Sequence, residues 1–334
     1  MKVAPAGPRA RQRSRQTKSP LVVFLTLGMG AAVQAQVLKV DAAIPRYQKV
    51  SGVSGTIGSV GSDTMNNLMT LWGESFQKQY PNVTIQIEGK GSSTAPPALI
   101  AGTAQFGPMS RAMKPTEIDQ FEAKYGYKPT QLRTSYDALA VFVHRDNPIG
   151  RLTLAQVDAV FSKTRKRGGA HAATWAALGL TGDWASRPIS LYGRNSASGT
   201  YGFFKEHVMR NGDYKDTVKE QPGSASVVQG ITEDRYGMGY SGIGYKTSGV
   251  KSLALSEKGD AFSDGSYEDV VSGRYPLARY LYLYVNRAPG QALDPLVREF
   301  LRFVFSQEGQ QIVVKDGYLP LSNAVVTEEL AKLQ

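Results

Sequence analysis

One local order recurs three times along this chain: a short apolar strand, a turn of Gly, Ser and Thr, then a helix. Thr56 to Val60 runs into Gly61-Ser62-Asp63-Thr64 and a helical pattern from Met65 to Tyr80. Val83 to Ile87 runs into Gly91-Ser92-Ser93-Thr94 and a helix opened by Pro96-Pro97, where proline is favoured in the first turn. Pro188 to Tyr192 runs into Gly193-Arg194-Asn195-Ser196-Ala197-Ser198-Gly199-Thr200 and a helix from Tyr201 to Met209. The first helix is marked by Leu68, Leu71, Trp72 and Phe76, spaced at three and four, and the second strand by alternation. Strands alternating with helices predict an α/β fold with largely parallel sheets. In open sheets of that class ligands sit at the carboxyl ends of strands, where these turns lie.

The third stretch has the composition of an anion cradle. Ser198, Gly199 and Thr200 stand at a helix start, where backbone N–H groups lack intrahelical partners and the helix dipole favours negative charge. The two hydroxyls add donors, and Arg194 can add a fork of charged ones. The same residues also suit a capped helix with a surface arginine. Asp63 in the first turn likewise reads either as a ligand contact or as the cap of its own helix.

Two long strand candidates, Ser135 to Val143 and Leu277 to Val285, bracket a middle unit. They predict two crossings between two lobes: residues 55–138 with 277–324 in one, and 139–276 in the other. Further helices are expected at Thr116 to Tyr125 (capped by Thr116), Leu154 to Phe161, Ser224 to Glu233, Asp294 to Phe305 and Gln307 to Val314. Gln105 to Gly107 reads as a short strand and Pro108 to Arg111 as a loop. The basic run Lys163 to Arg167 has no interleaved aromatics and reads as a solvated loop. Gly237-Met238-Gly239-Tyr240-Ser241-Gly242 matches a dinucleotide fingerprint in spelling only. A helix candidate precedes it, so a tightly packed strand is expected there.

Several chemistries find no support. The chain has no cysteine, which removes disulfides, thiolate metal sites and thiol nucleophiles. His144, His171 and His207 match no metal-ligand spacing. There is no Gly-x-Ser-x-Gly elbow and no Walker A sequence. Residues 1–35 read as a secretory signal: six basic residues, an apolar run from Leu21 to Val33, and Val33-Gln34-Ala35 placing the cut after Ala35. That leader carries six of the 39 basic residues and none of the 28 acidic ones, so the remainder is +5 rather than +11. So mild a charge suits an anionic ligand and makes no demand for nucleic acid.

The three turns together resemble the periplasmic phosphate-binding proteins of bacterial phosphate ABC transporters, the PstS type. The resemblance runs from about Thr56 to Leu321. It rests on Gly61 to Thr64, Gly91 to Thr94, Phe106-Gly107-Pro108-Met109-Ser110-Arg111, and Arg194 to Thr200. It implies a type 2 periplasmic-binding-protein fold of two lobes that close over one phosphate, without cofactor, metal or catalysis. The implied protein is a monomer in the periplasm, or also extracellular, that passes phosphate to membrane permease components. Carried over by position, the phosphate contacts fall on Ser62, Asp63 and Thr64, on Ser92, on Ser110 and Arg111, and on Arg194, Ser198, Gly199 and Thr200. One departure stands out: many relatives carry an aspartate where this chain has Ser110. That acid accepts the proton of hydrogen phosphate and so rejects sulfate. Asp63 is the remaining carboxylate in the matching turns. Another oxyanion, a phosphorylated metabolite, or a secreted phosphate-binding adhesin are the alternative readings.

Overall fold

The computed structural model describes residues 1–4, 6, 7 and 38–333. The apolar leader expected at Leu21 to Val33 and its cut after Ala35 lie outside the described residues. From Leu38 onward the chain forms one compact unit. Its elements run β1 (Gly55–Val60), α1 (Asn66–Gln79), β2 (Val83–Glu88), α2 (Ala95–Ala101), β3 (Gly107–Met109), α3 (Pro115–Tyr125), β4 (Thr130–His144), β5 (Arg151–Thr153) and α4 (Leu154–Phe161). There follow β6 (Ser190–Arg194), α5 (Gly199–His207), β7 (Val218–Gln221), α6 (Ser224–Glu233), β8 (Gly237–Gly242), β9 (Val250–Ser252), β10 (Ala254–Ser256), α7 (Tyr267–Val271), β11 (Ala278–Val285), α8 (Pro295–Val304), α9 (Gln307–Lys315) and α10 (Asn323–Ala331).

The strand β4 organises the main sheet, whose order is β3-β11-β4-β8-β6-β7, with β9 also on β4. Its first half, Thr130 to Ala138, pairs antiparallel with β11, and its second half, Leu139 to His144, with β8 and β9. From Thr134 to Val143 every residue is buried, so the strand is covered on both faces rather than alternating between core and solvent. β6 is parallel to both β7 and β8, and β1 is parallel to β2. Helices cover these sheets, giving a mixed α/β architecture. α6 matches its sequence-predicted limits, Ser224 to Glu233, as α4 does. The Gly-rich stretch is β8, wholly buried, with Gly239 against the Tyr192 backbone; a Cβ there would meet Tyr192 O at 2.7 Å.

Aromatic side chains hold each part. Phe76 of α1 packs edge-on against Phe300 of α8 at 5.3 Å and tilts against Phe303 and Tyr80. Phe204 of α5 stacks on Tyr240 of β8 at 3.9 Å, with Phe161 of α4 edge-on to both. The second cluster lies directly behind the third turn, since the Tyr240 hydroxyl accepts from Arg194 N–H at 3.3 Å.

Four local expectations need correction. The third short strand is Gly107–Met109, not Gln105 to Gly107, because β3 pairs with Tyr282 to Tyr284 of β11. Lys114, not Thr116, occupies the cap position of α3, and its N–H donates to Glu117 at 2.8 Å. Gly193 and Arg194 belong to β6, paired with Glu220 and Gln221, rather than to the turn. Arg167 leaves the solvated run altogether: its guanidinium donates to the His207 and Val208 carbonyls and to Glu257, each at 2.6 Å. It therefore closes the carboxyl end of α5, where unpaired carbonyls favour a cation.

Candidate functional site

The three turns meet. β1 ends at Val60, and Gly61 follows with its backbone against the β3 segment; a Cβ on it would lie 2.2 Å from Pro108 O. Ser62 N–H donates to Pro108 O at 2.8 Å, and Gly91 N–H donates to Gly61 O at 2.8 Å. The first, second and β3 turns are thus tied by backbone bonds. Gly91 has φ +120°, a conformation L side chains rarely adopt, and its α-carbon faces Ala197 O. Ser93 N–H donates to that same carbonyl at 3.1 Å, joining the second turn to the third.

Four buried hydroxyls then form a chain. Thr64 Oγ1 lies 2.8 Å from Thr200 Oγ1, Thr200 Oγ1 3.5 Å from Ser110 Oγ, and Ser110 Oγ 3.2 Å from Ser92 Oγ. Ser110 N–H donates to Ser92 Oγ at 3.0 Å. Ser198 caps α5 by accepting from Tyr201 N–H at 3.3 Å, which leaves the amino end of that helix directed at the hydroxyls. Of the glycines in the three turns, Gly199 comes nearest these hydroxyls. A Cβ there would meet Ser92 Oγ at 2.3 Å and Ser110 Oγ at 2.6 Å. Glycine is needed at this place for space, since its φ is ordinary.

Arg194 stands at the end of β6, almost wholly buried. Its Nη1 donates to Ser224 Oγ at 2.7 Å and pairs with Asp63 Oδ2 at 3.2 Å, and Nη2 donates to Pro222 O at 3.2 Å. Its Nε is buried without a partner among the described residues. Burial pulls the guanidinium pKa below its ordinary value, against the opposing charge of Asp63. Asp63 does not cap its own helix. Its Oδ2 accepts from Ser224 N–H at 2.7 Å, so it caps α6, far along the chain, while facing Arg194. Ser62 Oγ is buried and has no partner among the described residues. Tyr245 and Tyr318 hydroxyls donate to the Asp63 and Thr64 carbonyls, both at 2.9 Å, and hold the first turn from behind.

Arg111 goes elsewhere. It forks onto Glu117 at 2.7 and 2.8 Å and reaches Ser93 Oγ at 3.3 Å. Burial pushes the Glu117 carboxyl up, but the Arg111 and Lys114 hydrogen bonds outweigh it and the net direction is down. Arg111 thus lies beside the second turn, outside the hydroxyl chain.

Two residues that sequence reasoning missed stand at the centre. Arg279 of β11 and Asp137 of β4 face each other in register. Arg279 Nε and Nη2 donate to Asp137 Oδ2 at 2.9 and 2.7 Å, and Asp137 Oδ1 accepts from Ile243 N–H at 3.1 Å. The same guanidinium donates to Ser110 O at 2.8 Å and to Thr200 Oγ1 at 3.0 Å. A signal was present: each is the one charged residue within its central apolar run, and a buried charge must be paired. Each guanidinium is matched by one carboxylate, so the pocket carries little net charge. It offers a dense set of directed donors instead, the arrangement that holds an oxyanion by dipoles and hydrogen bonds.

The family described as "PBP superfamily domain" matches residues 48–308. The phosphate-binding protein PstS of Pseudomonas aeruginosa is 56% identical over 314 residues, covering 93% of this chain and 97% of that one. A Clostridium perfringens protein solved with bound phosphate superposes with TM-score 0.68 at 23% identity, covering 80% of this chain and all of that one. An ABC-type phosphate transport receptor from Vibrio cholerae gives 0.61 at 20% identity, covering 79% and 100%. At such identities the two structures speak to the fold, and the near-full-length relative speaks to descent. The chain belongs to the PBP superfamily and, within it, to the PstS family.

Proposed function

We propose that this chain binds inorganic phosphate where its three turns converge and delivers it to the permease of an ABC transporter. The observation that carries this is the chain of four buried hydroxyls at the amino end of α5, flanked by Arg194. Such a site supplies N–H and O–H donors and no nucleophile–base pair, so it suits binding and release with no bond broken. The name of the P. aeruginosa relative points to the same ligand.

In this reading Thr64, Ser92, Ser110, Ser198, Gly199 and Thr200 contact the anion. Arg194 supplies charge, Ser62 Oγ an additional donor, and Asp63 holds Arg194. Arg111 supports the second turn instead. The chain works as a monomer in the periplasm after loss of its leader. Residues 55–138 with 277–324 form one lobe and 139–276 the other, with the chain crossing within β4 and again just before β11, and the lobes part to admit the ligand by a hinge motion.

Titration calorimetry of the phosphate-free protein tests this, first with phosphate and then with sulfate. Saturable heat with phosphate is expected; its absence in folded protein refutes the proposal. Ser110 favours a second reading of specificity. A hydroxyl both donates and accepts, so at this position it tolerates sulfate where a carboxylate would not. Binding of both anions within about tenfold supports that reading, and a phosphate preference of several hundredfold removes it.

A further inference from the structure

We infer that Arg279, anchored by Asp137, is a positioning residue that aims the site's hydroxyl protons at the ligand. The inference rests on the oxyanion reading of the site given above. The hydroxyl chain runs Thr64, Thr200, Ser110, Ser92, with one proton on each oxygen and three oxygen–oxygen contacts between them. Left alone, such a chain can turn its protons inward and satisfy most of itself. One end of the chain and one inner member, however, receive donors that never accept. Ser110 N–H donates into Ser92 Oγ at 3.0 Å, and Arg279 Nη2 donates into Thr200 Oγ1 at 3.0 Å. A guanidinium stays protonated and has no lone pair to offer, so it permanently fills one acceptor position on Thr200. The Thr200 proton must then leave toward Thr64, toward Ser110 or toward the ligand. A proton passed to Thr64 displaces the Thr64 proton outward, and one passed to Ser110 turns the Ser110 proton outward or onto Ser92, whose own proton then points out. In each case a donor faces the anion.

Asp137 fixes this geometry. Two guanidinium nitrogens donate to one of its oxygens, and the Ile243 N–H holds the other. The Phe203 ring lies 5.2 Å from the guanidinium carbon. Arg279 also donates to Ser110 O at 2.8 Å, so a single planar group touches the turn after β3 and the start of α5 together. With its charge balanced by Asp137, Arg279 acts here by direction and not by net charge.

The test is a double-mutant cycle on phosphate affinity, read by calorimetry. Arg279→Met alone strands a buried carboxylate, so Asp137→Asn accompanies it; thermal unfolding without phosphate checks that the pair folds. This pair is measured in the wild-type background and in Thr200→Val. Loss of a charged hydrogen bond acting through Thr200 predicts affinity about 10- to 100-fold weaker in the first background. In the Thr200→Val background the same pair should change affinity by less than about threefold, because the hydroxyl it aims is already gone. Unchanged affinity in the first background overturns the inference, and so does an equal loss in both, which a merely structural role would give. Wild-type protein that binds no phosphate refutes the reading of the site itself, and the inference with it.

Discussion

Gly199→Ala isolates the meeting of the turns. Gly199 opens α5 with an ordinary φ, so alanine costs its backbone nothing and favours the helix by up to about 1 kcal/mol. The cost lies across the site. The new methyl would lie 2.3 Å from Ser92 Oγ, 2.6 Å from Ser110 Oγ and 2.8 Å from Ser92 Cβ, where ordinary contact begins at 3.4 Å. Relief requires a retreat of about 1 Å. Ser92 and Ser110 are both fully buried, and Ser110 N–H is bonded to Ser92 Oγ, so they retreat together or not at all. Overpacking of this kind costs about 1–3 kcal/mol, or roughly 5- to 150-fold in affinity if it falls on the bound state. If the turns separate in the absence of ligand, the methyl meets nothing there. Calorimetry should then show weaker phosphate binding while the phosphate-free melting temperature is equal or higher. Binding within about twofold of wild type refutes the argument. An equal loss of phosphate-free stability does so as well, since it would mean that the turns stay in contact without ligand.

Asp63→Asn removes the partner of a buried guanidinium; because the Asp63 side chain is 21% exposed, the loss should be about 2 kcal/mol, below the usual range for a fully buried pair. A bound phosphate replaces the missing negative charge, so saturating phosphate should raise the variant's melting temperature by more than the wild type's, as scanning calorimetry would register. Asp316, beside Tyr318, has its pKa pushed up to about 6 by burial, only partly offset by the Asn67 amide. The folded protein therefore holds this proton more tightly than the unfolded chain, and stability falls as pH rises from about 4 to 6. Asp316→Asn should remove that slope in urea titrations and stabilise the protein at pH 7 by up to about 3 kcal/mol. Phe76→Ala empties the aromatic cluster between α1 and α8 and should cost about 3–5 kcal/mol in the same titrations, with any loss of phosphate affinity following the loss of folded protein.

Much of this was legible in residue order. The periodicity of α1, the limits of α4 and α6 and the apolar runs of β4 and β11 are local patterns, since each element must present a buried face of fixed period. The turns Gly61 to Thr64, Gly91 to Thr94 and Ser198 to Thr200 were legible too: one such turn also suits a helix cap, but three of one kind at strand ends can converge. What failed locally failed for tertiary reasons. β3 takes its limits from pairing with β11, and Arg167 left a charge run to close a helix 40 residues on.

The chain's own order determined that three donor-rich turns exist and that a family resemblance joins them. The tertiary structure decided what each charge does. Asp63 is near Thr64 in sequence, yet it serves Arg194 and Ser224, more than 130 residues away. Arg111 follows Ser110, yet it turns to Glu117. Arg279 and Asp137 match no motif, and the register of two antiparallel strands sets them together beneath the hydroxyls. Periodicity follows from the backbone and can be read one segment at a time. A buried charge takes whichever partner the fold brings within about 3 Å, and that is a property of the whole chain.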